Sequence, residues 1–547
     1  MPLGGERCHS QGWAAVAVKI LPVLHLIRPI CASSVFGLAW VEERLLAVDP
    51  HTGYLLAIDP CSGLEVIANS LAVGDWLDVT GIAAENGELW ALRQDELMRV
   101  DREAMRLEIV MDLRYRGEGL AISADEWFVS VCSVQQIRVY SRLTGDCVRT
   151  FDAPGTGEES LVYAEDRLWV SDAAEQTVYC LDPESGQVLS SALTPYEQPT
   201  GLAFVAGSLY VAYSQVEDFI KQEPNRYNRL AIDSRSKTLI HRLHIFTEPE
   251  GRYTLSNGYL MEVVYCEETA ALEPADLENV VWKIALPAES DRQKLIRVEA
   301  IGRPFREEVE DGQRIAVFEF DKLAASEVQL FGWRALLEVR GIRYHVPEAS
   351  DNPFPEEFKA HYLVDDGFLT MDARRVQEAA REAVGDRTGP LAKMLAIRDY
   401  VYDRLDYRIQ RVSDSPDAVL ARGKGSCGEY VGVLLALARL NGIPCRTVGR
   451  YKCPPLPDCR HYPLMPEYNH VWLEFYLNGL GWVPCESNVD DTGSRPYPRR
   501  YFMALPWYHI ELGKGVTFEA TNVRGYSLAD LSLNHVQCTI LEELPAP

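Results

Sequence analysis

Read for its apolar and polar positions, the chain passes through three patterns. Over the first 240 residues one phrase recurs, a small residue followed by an apolar run: Gly37-Leu38-Ala39-Trp40, Gly81-Ile82-Ala83-Ala84, Gly119-Leu120-Ala121-Ile122, Ser160-Leu161-Val162-Tyr163 and Gly201-Leu202-Ala203-Phe204. The copies begin 38 to 44 residues apart. Each leads through a polar turn to a second apolar run, such as Leu45-Leu46-Ala47-Val48 or Leu168-Trp169-Val170-Ser171. A third run ends in turn chemistry, as in Asp59-Pro60-Cys61-Ser62-Gly63 and Asp182-Pro183-Glu184-Ser185-Gly186. Short strands punctuated this way, repeating in sequence, predict four-stranded blades. The alternatives are a β-sandwich, which does not ordinarily repeat its sequence, and an irregular solenoid. The expectation is an all-β propeller of about five or six blades over 32–236. Residues 1–31 form an extension, and a strand within Ile20–Ile30 closes the last blade.

From about Thr238 to Val346 the period is lost, but strand-length runs rich in β-branched and aromatic residues continue. Leu260–Tyr265, Val280–Leu286, Leu295–Ile301, Ile315–Phe320 and Trp333–Val339 predict an immunoglobulin-like β-sandwich over 237–348. Pro347–Pro355 reads as a linker. The pattern then turns helical. Asp372 is a candidate cap for a helix ending at Val384, with Gly385 just beyond. Pro390 suits the first position of a second helix through Leu405. A third runs from Cys427 to about Leu440, stopped by Asn441-Gly442. Strands at Arg446–Lys452, Asn469–Leu477 and Gly481–Glu486 complete an α+β domain over 349–547.

Composition narrows the classes. The 547 residues carry 54 Lys+Arg against 80 Asp+Glu, a net charge of −26. Nucleic-acid partners are disfavoured, because duplex binding uses clustered cations to displace counterions. The 13 cysteines are scattered and odd in number, which reads as a reducing compartment. Lys19, Pro22 and His25 interrupt the most apolar N-terminal stretch, so neither a membrane span nor a signal sequence is expected. The expected location is cytoplasmic. No dinucleotide or phosphate-loop fingerprint is present.

One cysteine has a setting of its own. Cys427, in Gly425-Ser426-Cys427-Gly428-Glu429-Tyr430, falls at a predicted helix N-terminus. Unpaired N–H groups and the helix dipole favour the thiolate there. His470, in Asn469-His470-Val471-Trp472, opens a strand and is the candidate general acid/base. Glu486, in Gly481-Trp482-Val483-Pro484-Cys485-Glu486, ends the neighbouring strand and is the candidate that orients His470. Asn488, Asp490 and Asp491 are nearby substitutes for that last role. Arg446 and Trp482 read as packing residues. Cys453, Cys459 and His461 match no common zinc spacing. Their proline-rich loop reads as a rim of the cleft.

The motifs Gly-Ser-Cys-Gly-Glu-Tyr, Gly442-Ile443-Pro444-Cys445-Arg446, His-Val-Trp-Leu-Glu and Gly-Trp-Val-Pro stand in this order. Together they resemble the transglutaminase-like (papain-like) superfamily of cysteine enzymes over about residues 360–490. The resemblance implies a helix-borne Cys, then His and an acid on following strands. It implies attack on a carboxamide or peptide carbonyl, and a thioester resolved by water or an amine. The family usually has Asp where this chain has Glu486. The expectation is a cysteine-dependent amide or peptide bond hydrolase, or acyl transferase, with a Cys427–His470–Glu486 triad. No cofactor and no metal are expected, and the substrate is a protein or peptide that the propeller helps to recognise. The alternatives are a catalytically inactive propeller-based scaffold and a deglycosylating amidase.

Overall fold

The computed structural model describes residues 23–545, apart from 216–218, 222–229, 233–237, 270–275, 325–326, 346–353, 367, 410–413, 457 and 467. Most of the linker expected at Pro347–Pro355 therefore lies outside the described residues. The architecture is mostly β, with helices concentrated between residues 356 and 440.

The repeated phrase folds five times into the same position. Phe36–Val41, Val79–Glu85, Leu120–Ile122, Glu158–Ala164 and Pro199–Val205 are each the first strand of a four-stranded antiparallel sheet. These five strands lie beside one another in succession, and the fifth returns to the first. The small residue that opens the phrase has a packing cause. A Cβ on Gly37 would sit 2.9 Å from the Thr80 carbonyl oxygen, and one on Gly201 would sit 3.0 Å from the Leu38 side chain. A larger residue would push neighbouring sheets apart at the centre, where Ala39, Ala83, Ala121 and Ala203 line a narrow channel.

Two strands depart from the expected partition. Leu239–Arg242, expected in the sandwich, is the third strand of the fifth sheet. Leu26–Ile27 pairs with it as the outermost strand. The strand expected within Ile20–Ile30 is thus two residues long among the described residues.

The runs between 253 and 344 form two antiparallel sheets over one core. Tyr259, Met261, Val263 and Trp333 meet Trp282, Ile284, Phe318 and Phe320 across it. The chain's tail belongs here too. Glu519–Thr521 pairs with Leu277–Ala285, and Leu533–Leu544 pairs with Tyr253–Thr269. The expected 349–547 unit therefore returns its last strands to the sheets of the preceding segment.

Between these strands lies the helical segment. Arg374–Val384 begins after Ala373, so Asp372 is not its cap; Gly385 does end it, at φ 52°. Pro390–Arg404 and Cys427–Leu440 follow as expected, and two further short helices, Glu356–Tyr362 and Pro416–Arg422, were not legible in the pattern. Val376, Ala380, Ile397 and Val401 pack on Val431, Leu434 and Leu435 of the Cys427 helix. The opposite wall is Leu473, Phe475 and Val483 of the sheet. Each fully buried large aliphatic or aromatic side chain there contributes roughly 1.5–3 kcal/mol. This core fixes the helix against the strand Asn469–Leu477. Among the described residues no helix is long and apolar enough to cross a membrane.

Candidate functional site

Cys427 is the first residue of its helix, and the helix start is built to hold it. Ser426, in extended backbone, and Glu429 form a capping box. The Glu429 carboxylate accepts the Ser426 N–H at 2.8 Å and the Asp414 N–H at 3.0 Å, and it pairs with Arg422. One buried carboxylate thus ties the preceding loop and helix to the turn that carries the thiol.

Sheet register supplies the partners. His470 lies opposite Arg450 on the strand Cys445–Lys452, and Leu473 lies opposite Cys485. Antiparallel pairing then brings Glu486, just past the end of Gly481–Cys485, back beside His470. The two side chains are buried, and His470 Nε2 is hydrogen-bonded to Glu486 Oε1. The other carboxylate oxygen, Oε2, accepts the N–H groups of Asn488 at 2.9 Å and Val489 at 3.1 Å. The longer acid is seated by these two donors. His470 Nδ1 has no partner of regular hydrogen-bond geometry, and it is the nitrogen left for the thiol.

The electrostatics of the three groups agree in sign. For Cys427, burial opposes the thiolate. The hydrogen-bonding and charge of His470, with the Val471 and Gly428 N–H groups, outweigh it and lower the thiol below its ordinary value. For His470, burial opposes the imidazolium, but Glu486 and Cys427 raise it to about 9. For Glu486, burial again opposes charge, and His470 holds the carboxyl well below the usual range. All three shifts act in the same sense, toward thiolate, imidazolium and carboxylate.

The substitutes for Glu486 are engaged elsewhere. Asp490 is buried between Arg500 at 2.7 Å and Arg398 at 3.7 Å. Asp491 accepts the Tyr430 hydroxyl at 2.9 Å, and Asn488 accepts Ser487 at 2.9 Å. Arg446 stacks on Trp482 at 4.3 Å and pairs with Glu474, a packing role as expected. Cys453, Cys459 and His461 do not gather among the described residues; the Cys453 thiol instead interacts with Cys538.

Two residues at the site escaped the sequence reading. His509, fully buried on His509–Leu512, places Nε2 3.6 Å from Glu486 Oε1, on the carboxylate that His470 also contacts. Burial lowers it to about 3, so it stays neutral. Tyr407 lies opposite Gly425 in a short parallel pairing, two residues before Cys427. Burial first, then the Cys427 charge, raises its hydroxyl to about 12, so it remains a donor. His509 belongs to no motif, and the only signal for Tyr407 was its place ahead of the nucleophile. Together with His470 and Glu486, His509 also forms a group whose ligand atoms lie within 4.8 Å of one another. The hydrogen bond between His470 and Glu486 joins two of its three members.

Comparison with known proteins names the class. Residues 377–487 match the family described as the transglutaminase-like superfamily, so the chain carries a transglutaminase-like domain. An uncharacterized protein of Haemophilus influenzae is 28% identical over 130 residues, covering 20% of this chain and 35% of that protein. The chain thus spans about a third of the length of the curated relative it matches. Among solved structures, a candidate cysteine protease from Cytophaga hutchinsonii aligns with 54% of this chain and 95% of its own, at 15% identity and a TM-score of 0.39. A glutaminyl cyclase from Myxococcus xanthus aligns with 41% of this chain and 97% of its own, at 14% identity and a TM-score of 0.30.

Proposed function

We propose that the protein is a cysteine-dependent amide or peptide bond hydrolase, with transfer of the acyl group to an amine as the other outcome of the same chemistry. The observation that carries this reading is the buried His470–Glu486 hydrogen bond beside a thiol that opens a capped helix, with the charges of the three groups favouring one another. The Cys427 sulfur attacks the carbonyl carbon, forming a C–S bond and an oxyanion. The Cys427 N–H, at the helix N-terminus, and the Tyr407 hydroxyl are the donors for that oxyanion. His470 gives its proton to the departing nitrogen as the C–N bond breaks, leaving a thioester. Neutral His470 then takes a proton from water, whose oxygen attacks the thioester and expels the thiolate. Glu486 fixes the His470 tautomer and balances its charge throughout. No step calls for a metal or a cofactor.

The first region reads as a five-bladed β-propeller closed by Leu26–Ile27, and it serves to recognise or orient a protein substrate. An inactive scaffold would need neither a lowered thiol nor a seated acid, so the catalytic reading is preferred. A deglycosylating amidase shares the same machinery and differs only in its substrate. Cys427→Ala should abolish both amide hydrolysis and amine incorporation. Turnover that survives this replacement would contradict the proposal.

A further inference from the structure

The five-sheet region contributes Glu197, in the loop before Pro199–Val205, to a cavity of about 290 Å³. Lys452, Pro454, Tyr468, Tyr501 and Tyr508 also line it. The cavity lies beside the strand that carries His470. Lys452 is the register partner of His509, and its charge acts on both His470 and Glu486. The Tyr468 ring lies 6.3 Å from that of His470. Tyr468 therefore joins the cavity, which it lines, to the His470 side of the site.

The walls are largely tyrosine and proline, and the charged residues among them are Glu197 and Lys452. Glu197 is already engaged, 3.6 Å from the Arg500 guanidinium and accepting the Tyr501 hydroxyl at 3.4 Å. Lys452 is half-buried on the opposite side, and no carboxylate of the described residues lies within 4.0 Å of its ammonium. A partly desolvated ammonium between aromatic walls selects an anion on an otherwise apolar ligand. We propose that this cavity is a substrate subsite that holds a carboxylate carried by the acyl donor beside its scissile amide, with Lys452 as the counter-ion. The carboxylate is either an acidic side chain or a chain terminus. The assignment rests on the cysteine-amidase reading, and it gives the repeat region a direct part in substrate choice through Glu197.

The test uses the full chain and probes that need no known substrate. N-iodoacetyl-Phe-Glu and N-iodoacetyl-Phe-Gln, each as the C-terminal acid and amide, are compared for the rate at which they alkylate Cys427, followed by mass spectrometry. Iodoacetamide on the same protein normalises the intrinsic reactivity of the thiol. The expected result is labelling about tenfold faster with a carboxylate than with its matched carboxamide. The four probes distinguish side chain from terminus. The preference should collapse toward one in Lys452→Met. In Lys452→Glu it should reverse, favouring an N-iodoacetyl-Phe-Lys probe. Equal rates for acid and amide in the natural protein, or a preference that Lys452→Met leaves intact, would overturn the subsite while leaving the nucleophile standing. Failure of iodoacetamide to select Cys427 would instead bring down the cysteine chemistry, and the subsite with it.

Discussion

Two thiols in the same domain, Cys427 and Cys485, point in opposite directions. Cys485 ends the strand Gly481–Cys485, fully buried in the core next to Glu486. Burial pushes its thiol up to about 12; the Arg398 guanidinium opposes the rise, and the Glu486 and Asp490 charges add to it. Cys427 is also largely enclosed, yet its thiol is lowered. The difference is the setting, not the residue. Cys427 has a helix start, backbone N–H groups and an imidazolium within reach; Cys485 has full burial, which the Arg398 guanidinium does not offset. The seam between helix and strand is where this fold favours a thiolate, and the sheet immediately behind it is where the same fold disfavours one.

The comparison breaks most readily at the nucleophile itself. Cys427→Ala and His470→Ala should each cost at least ~10⁴-fold in kcat/KM against whatever amide substrate is found, because the two groups act as one unit. Next comes the acid. Glu486→Gln should lower kcat by about 10²–10⁴-fold. It should also move the alkaline limb of the pH–rate profile. His470 is raised to about 9 mainly by the Glu486 charge, and the protonated imidazole is the form lost as pH rises through that value. Removing the charge shifts this limb toward more acidic pH. An unmoved limb would separate Glu486 from His470. Tyr407→Phe should lower kcat by about 10²-fold with KM little changed, the pattern of a donor used only in the transition state. The smallest effect is at the inert thiol. Cys485→Ala should cost about 1–2 kcal/mol of stability in a denaturant titration and leave the pH profile of Cys427 labelling where it was.

How much of this was legible in the sequence follows from the range of the interactions. The propeller-like repeat was visible because four of its five copies contain their own sheet, whose strands follow one another in sequence. The order of Cys427, His470 and Glu486 was visible because a helix cap and two hairpin-linked strands are local features. Leu239–Arg242 was misplaced because its strand partners, Ser208–Tyr213 and Leu26–Ile27, lie on the far side of an insertion or at the other end of the chain. Glu519–Thr521 and Leu533–Leu544 pair with strands more than 230 residues earlier, which no local pattern encodes. His509 was hidden for the same reason: it reaches Glu486 only through the register of a fourth strand. Glutamate in place of the usual aspartate raised a doubt that the structure addresses, since the Asn488 and Val489 N–H groups hold the longer carboxylate in place.

The central claim is that the Cys427 thiol is lowered by His470. Its direct measurement is the rate of iodoacetamide labelling of Cys427 as a function of pH, in the natural protein and in His470→Ala. The account predicts a midpoint below the ~8.5 of a free thiol, rising to or above that value in the variant. A midpoint at or above ~8.5 that is indifferent to His470 would contradict it.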